Sequence, residues 1–306
     1  MSSNGFGECL SDPVFADLKK HASSNDWFQV FEVDPGIWAI LEPYQWQRVI
    51  SYLIVGADRA LLLDTGNGIG NIKAIVDQLT DKPIFVLNSH SHFDHIGGNH
   101  HFDEVLSAST AFSIVQCKGL ENVDVALEVS PAALCCGLPD GVTQNSHCIR
   151  PYAITGKVKD GDVIDLGNRQ LEILQIPGHT DDCIALLDRK SGFLWPGDSF
   201  YEGPIWLFSP ETDLEAYSNS VARLATLAPQ LKMLFPSHKI PKSSPAFLIE
   251  AHWAIKLVLA GKARAVPART GLVSFEFEGF SFLMRENYDR LQASARLEPE
   301  PNRCAP

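Results

Sequence analysis

The sequence lacks the features that mark membrane proteins, nucleic-acid-binding proteins and cysteine-based zinc proteins. No apolar run in its 306 residues approaches the roughly 20 residues that a membrane-spanning helix needs. Acidic residues outnumber basic ones by 37 to 25, whereas nucleic-acid-binding proteins concentrate Lys and Arg. The seven cysteines are odd in number and include no CxxC pair, which predicts neither a thiolate zinc knuckle nor a disulfide framework.

The first residues, MSSNGFGECLSDP, also lack the basic start and apolar middle of a secretory signal. We therefore expect a cytoplasmic protein without a membrane or nucleic-acid partner. What is present is an ordinary globular composition, with 45% hydrophobic and 20% charged residues. Strands, a helix and a strand follow one another in each half of the chain, and this order indicates an α/β fold.

The hydrophobic pattern divides the chain into three parts. Residues 1–25 are polar and predict a tail or short helix, residues 26–242 predict the main domain, and residues 243–306 predict a helix and hairpin packed on its core. The run at residues 60–63 is apolar enough for a strand buried on both faces. Residues 119–155 have no clear period, and an irregular segment of that length predicts a cover over a binding site.

Four side chains of metal-ligand type lie in HSHFDH, directly after the apolar run of KPIFVL: His90, His92, Asp94 and His95. On a loop that leaves a strand they can converge, whereas on a helix they would fan around the axis. Imidazole nitrogens with a carboxylate suit zinc, iron or manganese, and the excess of nitrogen favours zinc. The alternative interpretation is a histidine-rich surface turn. We interpret His100 and His101, which follow a Gly-Gly pair, as structural or surface residues.

Three further candidates occupy the same context, since each follows an apolar run with a proline nearby. His179 lies in IPGHT, Asp198 in LWPGDS and His238 in LFPSH. Strand ends and the loops beyond them are where α/β proteins place their ligands. The repetition therefore predicts that these side chains complete a site begun by HSHFDH.

Taken in order, HSHFDH, PGHT, PGDS and PSH resemble the motifs of the metallo-β-lactamase superfamily, over roughly residues 27–241. The resemblance implies a four-layer αββα sandwich with a dinuclear metal site at one edge. It implies three ligands for each metal, which are His90, His92 and His179 for the first and Asp94, His95 and His238 for the second. It also implies that Asp198 bridges the two metals and that Asp64 supports the histidine ligands.

The same resemblance implies hydrolytic chemistry. Two zinc ions, with manganese, iron and cobalt as alternatives, would activate a shared water at neutral pH. Asp94 would orient the resulting hydroxide and pass its proton to the leaving group. Tyr201 matches a tyrosine that donates to the substrate carbonyl oxygen in acyl-homoserine lactonase members. Trp206 and Phe208 are expected in the wall of a substrate pocket.

Two residues narrow the expected substrate. Asp198 counts against the best-known β-lactamases, which lack this carboxylate, and His92 counts against the flavoprotein di-iron branch, which has Glu there. We expect a hydrolase of a small-molecule substrate with a carbonyl ester-like bond, either a lactone or an acyl thioester. The alternatives are a β-lactam or small phosphodiester hydrolase, and a non-catalytic metal-binding ligand sensor. The alternating hairpin GLVSFEFEGFSFLM could supply the interface of a homodimer.

Overall fold

The computed structural model describes Phe15, residues 18–23 and residues 26–288. Its strands are β1 (Lys19–His21), β2 (Gln29–Asp34), β3 (Ile37–Leu41), β4 (Ile50–Val55), β5 (Ala60–Leu63), β6 (Ile84–Leu87), β7 (Val105–Ser107), β8 (Gly156–Lys157), β9 (Val163–Asp165), β10 (Gln170–Gln175), β11 (Ile184–Asp188), β12 (Phe193–Trp195), β13 (Gly203–Leu207), β14 (Met233–Leu234), β15 (Ala265–Pro267), β16 (Leu272–Glu276) and β17 (Phe280–Arg285). Its α-helices are α1 (Ile72–Leu79), α2 (Phe93–Ile96), α3 (Ala111–Gln116), α4 (Asn122–Val125), α5 (Leu214–Leu227) and α6 (Ala246–Leu259).

The strands form three sheets. The first contains β1 to β8 in chain order, and it is antiparallel from β1 to β5 and parallel from β5 to β8. The second has the order β14, β12, β11, β10, β9, and its pairs are antiparallel except for β12 with β14. The third has the order β13, β17, β16, β15, with β13 parallel to β17.

The first and second sheets pack face to face over the central core. Tyr52 and Phe85 of the first sheet and Ile173 and Trp195 of the second belong to one buried apolar cluster. Trp195 and Tyr52 are the largest of the fully buried side chains. Burial of apolar and aromatic surface is the main favourable contribution to the free energy of folding, so these side chains hold the two sheets together.

Helices cover the outer faces of both sheets. On the first sheet, α1 contributes Ile72 and Val76 to a buried cluster shared with β4 and β5. On the second sheet, α5 and α6 contribute Val221 and Ile255 to a cluster shared with β10, β11 and the third sheet. The layer order of helix, sheet, sheet, helix confirms the four-layer αββα sandwich.

Local sequence explains the elements nearest the site. All four residues of β5 are buried, which agrees with the expectation of a strand covered on both faces. The helix α1 begins after Asn71, whose side chain accepts a hydrogen bond from the Ala74 backbone N–H at 3.2 Å. Its buried residues Ile72, Ile75 and Val76 follow helical spacing, so one face packs on the sheet.

The chain ends depart from the expected pattern. Residues 19–21, which we expected in a polar tail or short helix, form β1 and pair with β2. The expected C-terminal helix and hairpin are present as α6 and β16–β17, but β17 also pairs with β13 of the main domain. Among the described cysteines four are free thiols, whereas Cys135 is disulfide-bonded. No helix in the described ranges is both long and apolar enough to cross a membrane.

Candidate metal centre

The HSHFDH motif begins on a loop and ends on a helix. The strand β6 ends at Leu87, and His90 and His92 follow on the connecting loop. Asp94 and His95 lie on the single turn of α2 rather than on the loop that we expected. The four side chains still converge, because α2 begins immediately after His92 and its single turn stays close to the end of β6, where the Asn88 side chain lies 3.4 Å from the His95 carbonyl oxygen.

The three later candidates also follow strands, as the sequence predicts. His179 follows β10, Asp198 lies in a short 3-10 turn after β12, and His238 follows β14. The residue before His179 must be glycine, since Gly178 has φ of 142° and an added Cβ would lie 2.2 Å from the Tyr217 backbone. The close approach of Tyr217 therefore fixes the backbone that presents His179.

Three histidine nitrogens meet in the first group of the site. The Nδ1 atom of His92 lies 3.1 Å from His90 Nε2 and 2.9 Å from His179 Nε2. These three residues form one of the clusters whose ligand atoms all lie within 4.8 Å of one another. The fold thus brings together His90, His92 and His179, the first set of ligands that the family resemblance implies.

The second group contains carboxylates as well as histidines. The Oδ2 atom of Asp94 lies 3.4 Å from His95 Nε2 and 3.6 Å from His238 Nε2. Asp198 stands between the groups, with Oδ1 3.4 Å from His95 Nε2 and Oδ2 3.0 Å from His238 Nε2. The same Oδ2 lies 3.6 Å from His179 Nε2 of the first group, so Asp198 is the one carboxylate close to both sets.

Backbone carbonyls hold the outer nitrogens of two of these histidines. His179 Nδ1 lies 2.8 Å from the Trp206 carbonyl oxygen, and His238 Nδ1 lies 3.1 Å from that of Gln47. Because a carbonyl can only accept, each Nδ1 carries the proton and donates it. In the neutral imidazole the inner Nε2 is then left with a free lone pair, which is the state that binds a metal.

Asp64 holds the side chains at the start of the motif. Its Oδ2 lies 2.9 Å from His95 Nδ1 and accepts a hydrogen bond from Ser89 Oγ at 2.6 Å. Ser89 Oγ in turn lies 3.1 Å from His90 Nδ1, and the Ser89 backbone N–H donates to Asp64 Oδ1 at 2.7 Å. Asp64 itself has a positive φ of 62°, which Asp tolerates better than most residues. The carboxylate that the resemblance implies in a supporting role is thus in contact with both His95 and its neighbour Ser89.

Glu211 is a supporting residue that sequence reasoning missed. Its Oε1 lies 2.6 Å from His92 Nε2, so His92 turns its Nδ1 atom inward. Burial opposes the charge of Glu211, but the hydrogen bond from His92, the charge of His92 and weaker contributions together outweigh burial and lower the pKa of the carboxyl. The sequence SPETDLEA gives no signal for this contact, because an acidic residue just before a helix also reads as an ordinary helix start.

The electrostatics of the two groups differ. Burial and the neighbouring His95 lower the pKa of His90 well below its ordinary value, and burial with His92 lowers the pKa of His179 to about 4. Burial alone would lower the pKa of His95 too, but Asp94, Asp198 and Asp64 raise it well above its ordinary value. The first group therefore contains two neutral imidazoles, those of His90 and His179, whereas the second is a network of opposite charges.

The donor set fits divalent metal ions. His95 Nε2 and Asp198 Oδ1 are buried, have no hydrogen-bond partner within the described residues, and lie 3.4 Å apart. Such atoms cost free energy unless another group satisfies them, and both are metal ligands by type. Zinc binds nitrogen at about 2.0–2.1 Å, which places tetrahedral ligands about 3.3 Å apart. The separations of 2.9 and 3.1 Å in the first group are close to that value.

Comparison with known proteins gives a partial family match. The sequence model of the metallo-β-lactamase superfamily matches residues 45–113, which contain the HSHFDH motif. The four-layer fold and the clustered His and Asp residues agree with that match. Structures of the same fold include a metallo-beta-lactamase family protein from Thermus thermophilus, with a TM-score of 0.53, 21% identity and coverage of 75% of this chain and 82% of that chain.

Several similar proteins are named hydrolases. The acyl-coenzyme A thioesterase MBLAC2 of Gallus gallus is 28% identical over 229 residues, which cover 71% of this chain and 82% of the relative. The protein of the same name from Homo sapiens is 25% identical over 232 residues, with the same coverage of 71% and 82%. A hydroxyacylglutathione hydrolase of Pelagibacter ubique is 25% identical over 258 residues, which cover 79% of this chain and 92% of the relative. The similarity to these hydrolases and the His and Asp clusters fit a metal-dependent hydrolase.

A cavity of about 270 Å³ opens beside the metal centre. Trp206 lines it as expected, but Phe208 does not and instead packs on Trp206 with ring centroids 5.1 Å apart. Tyr201 also lines the cavity, with its ring centroid 4.8 Å from that of His238. Its hydroxyl donates to the Pro204 carbonyl at 2.5 Å, so in this conformation the hydroxyl is not directed at a substrate. The role of Tyr201 as an oxyanion donor stays a prediction.

The remaining histidines of the opening motif lie outside these clusters. His100 and His101 occupy a 3-10 turn, and their ring centroids are 3.9 Å apart. Neither belongs to a group with metal-ligand geometry within the described residues, and neither lines the cavity. From the irregular segment 119–155, Leu120 reaches the cavity wall.

Proposed function

We propose that this protein hydrolyses acyl thioesters at a dinuclear metal centre. The observation that carries the proposal is the orientation of the five clustered histidines, each of which has its outer nitrogen beside a protein oxygen. Three of these contacts are buried and two are partly buried, and such contacts are the ones that orient histidine ligands towards a metal. The substrate class is supported by relatives named as an acyl-coenzyme A thioesterase and a hydroxyacylglutathione hydrolase, both of which act on thioesters by name.

In this proposal the seven clustered residues divide between the two metals. The first metal would be held by the imidazoles of His90, His92 and His179, and the second by Asp94, His95 and His238. Asp198 would be shared, because its two carboxylate oxygens face both sets. Zinc suits a nitrogen-rich site best, although manganese, iron and cobalt bind the same ligand types. When bound, the two ions supply a water of lowered pKa and a positive charge that polarises the thioester carbonyl.

Asp94 is the residue that moves a proton in this mechanism. Its Oδ2 atom faces His95 and His238, and the residue also lines the cavity where the thioester carbonyl would lie. His95 and His238 outweigh burial and lower the pKa of the Asp94 carboxyl, so it is ionised and can accept a proton at neutral pH. Asp94 would take a proton from the attacking water and deliver it to the sulfur of the departing thiol.

The cavity wall excludes water from the acyl group. Phe93, Phe112 and Leu120 give the cavity an apolar side next to the first histidine group. Burial of an acyl chain against this side is favourable at about 25 cal/mol per Å² of apolar surface. A thioester bound with its chain there has its carbonyl beside Asp94 and His179, which line the same cavity.

The first experiment measures metal content and substrate range together. The purified protein is analysed for metals by plasma emission, then assayed with acyl thioesters, lactones, a cephalosporin and bis-p-nitrophenyl phosphate. We expect two equivalents of metal and hydrolysis of thioesters, with activity abolished by a chelator and restored by added zinc. Preference for another substrate would overturn the thioester assignment. Less than one equivalent of metal, not raised by added zinc, would overturn the dinuclear centre.

A single substitution then tests the mechanism. Asp94→Asn keeps the shape of the side chain but removes its ability to hold a proton. We expect kcat to fall by about 10²- to 10⁴-fold, the usual contribution of a positioned acid–base group. Full activity in a variant that still binds two metals would show that Asp94 transfers no proton. If the protein binds metal and thioesters without turnover in any form, it is a ligand sensor instead.

A further inference from the structure

Two cations lie beside the cavity, and the carboxylate that acts on one of them, that of Glu128 on Arg269, forms no ion pair with it within 4.0 Å. Lys239 lines the cavity and donates through Nζ to the Trp46 carbonyl at 2.6 Å. Arg269 is exposed, and neither residue forms an ion pair within 4.0 Å in the described part of the chain. Arg59 and Arg223, by contrast, form ion pairs with Glu104 and Asp160. Lys239 and Arg269 therefore place positive charge beside the active site of a chain whose net charge is −12.

Arg269 covers a pair of stacked aromatic rings. Trp46 and Trp206 both line the cavity, and their ring centroids are 5.0 Å apart with planes inclined by 24°. The Arg269 guanidinium carbon lies 5.8 Å from the Trp46 ring and 5.7 Å from the Trp206 ring. Glu128 accepts a hydrogen bond from Trp46 Nε1 at 2.9 Å, which fixes that ring. The result is a rigid aromatic surface with a positive charge above it.

The C-terminal sheet delivers this charge to the cavity. Arg269 lies in the turn between β15 and β16, and β16 pairs with β17. β17 pairs in turn with β13, where Trp206 is opposite Leu283. The C-terminal sheet is therefore attached to β13, which carries Trp206, and the turn between β15 and β16 brings Arg269 close to the rings of Trp46 and Trp206.

We infer that Trp46, Trp206, Arg269 and Lys239 form a recognition site for the phosphorylated purine nucleotide of a coenzyme A-type leaving group. Purine rings stack on aromatic side chains, and arginine binds phosphate through paired hydrogen bonds. Lys239 adds a second positive charge, with its Nζ 5.6 Å from the Trp46 ring centroid. Phe93 and Phe112, which line the same cavity, provide apolar surface that suits the acyl chain. This inference rests on the proposed thioester hydrolysis and specifies which thiol is released.

The test compares two thioesters that differ only in the leaving group. Lauroyl-coenzyme A carries the phosphates and the purine, whereas S-lauroyl-N-acetylcysteamine has the same acyl chain and thioester without them. For Arg269→Met we expect KM for lauroyl-coenzyme A to rise about tenfold, the effect of losing one charge-assisted contact, with kcat unchanged. We expect the N-acetylcysteamine thioester to be hydrolysed as by the unmodified protein. Arg264→Met, a matched loss of charge from an exposed residue before β15, is the control and leaves both substrates unaffected.

A binding measurement keeps the inference independent of turnover. Calorimetry with adenosine 3′,5′-diphosphate should show binding to the unmodified protein and to Arg264→Met, weakened about tenfold in Arg269→Met. Absence of binding, or equal binding by all three proteins, would overturn the recognition site. Hydrolysis of S-lactoylglutathione but not of lauroyl-coenzyme A would also overturn it while leaving thioester hydrolysis intact. If no thioester is hydrolysed but the nucleotide binds as expected, the proposed function fails and the recognition site stands.

Discussion

The two ligand groups of the metal centre lie side by side, yet they are built on different physical principles. The first is a set of three imidazoles, and burial lowers the pKa of two of them, His90 and His179. Its members are oriented by oxygens outside the group, including the Trp206 carbonyl and Glu211. In the second group, carboxylates inside the group act on His95 and raise its pKa.

The difference predicts that the two proposed metal positions differ in selectivity. A nitrogen-rich set favours a borderline ion such as zinc, whereas a set with more carboxylates also accepts harder ions such as manganese. The histidines of the first group are oriented by Glu211 and the Trp206 carbonyl. In the second group, His95 is in contact with Asp198 and Asp64. Substitutions in these supporting and shared residues should therefore affect the two metals unequally.

The largest effect should come from the residue common to both groups. Asp198→Asn removes the negative charge that faces His95, His238 and His179. We expect the metal content to fall to one equivalent or less and the rate of hydrolysis to fall on the order of 10³-fold. Metal analysis of the purified variant and steady-state kinetics measure both. Two tightly bound metals in this variant would show that the groups are independent.

A smaller and one-sided effect should follow from Asp64→Asn. Asp64 accepts from Ser89 and contacts His95, and asparagine tolerates the positive φ of this position. We expect the affinity for the second metal to fall about 100-fold, the upper end of the effect of such supporting contacts. Titration against a competing chelator measures the two affinities separately. An equal loss at both groups would contradict the comparison.

Glu211→Gln is the corresponding test for the first group, since it alters a supporting contact of His92. The amide can still accept a hydrogen bond from His92 Nε2 but loses the charge, and Glu211 is only partly buried. We expect about a tenfold loss of affinity for the first metal and none for the second. The same chelator titration applies, with circular dichroism to verify that the fold is retained. Unchanged affinity would mean that the Trp206 and Ser89 contacts suffice to orient the first group.

Tyr201→Phe should have the smallest effect. Its hydroxyl donates to the Pro204 carbonyl beside the second group, so the substitution removes one hydrogen bond worth about 1 kcal/mol. We expect kcat for thioesters to fall by less than about tenfold. A loss of 10²- to 10³-fold would instead show that the hydroxyl changes its acceptor and stabilises the oxyanion during the reaction.

The positions of the clustered residues could be read from the sequence for a physical reason. His179, Asp198 and His238 each follow an apolar run, and strands of packed sheets end at a common edge. The expected α/β sandwich followed from the same strands, helices and motifs. The helical placement of Asp94 and His95 was missed, because a single turn leaves no periodic signal in four residues.

The residues that orient the clustered histidines could not be predicted from the sequence in the same way. Gln47 and Trp206 act through backbone carbonyls, which every residue possesses, so their side chains carry no signal. Glu211 reaches His92 across 119 positions of sequence, and only the folded chain brings them together. The pairing of β13 with β17 is equally non-local, which is why the sequence did not predict that the C-terminal hairpin pairs with the strand that carries Trp206.

That parallel pair of β13 and β17 has a consequence for how the protein is made. A chain emerging from the ribosome carries all seven clustered residues, the last of them His238, well before Phe280–Arg285 is synthesised. N-terminal parts fold first during synthesis. The metal centre can therefore bind its ions before the third sheet is complete, whereas Trp206 gains its neighbouring strand β17 only at the end of synthesis. In the order of synthesis, the proposed metal ligands thus precede the Arg269 side of the proposed nucleotide recognition site.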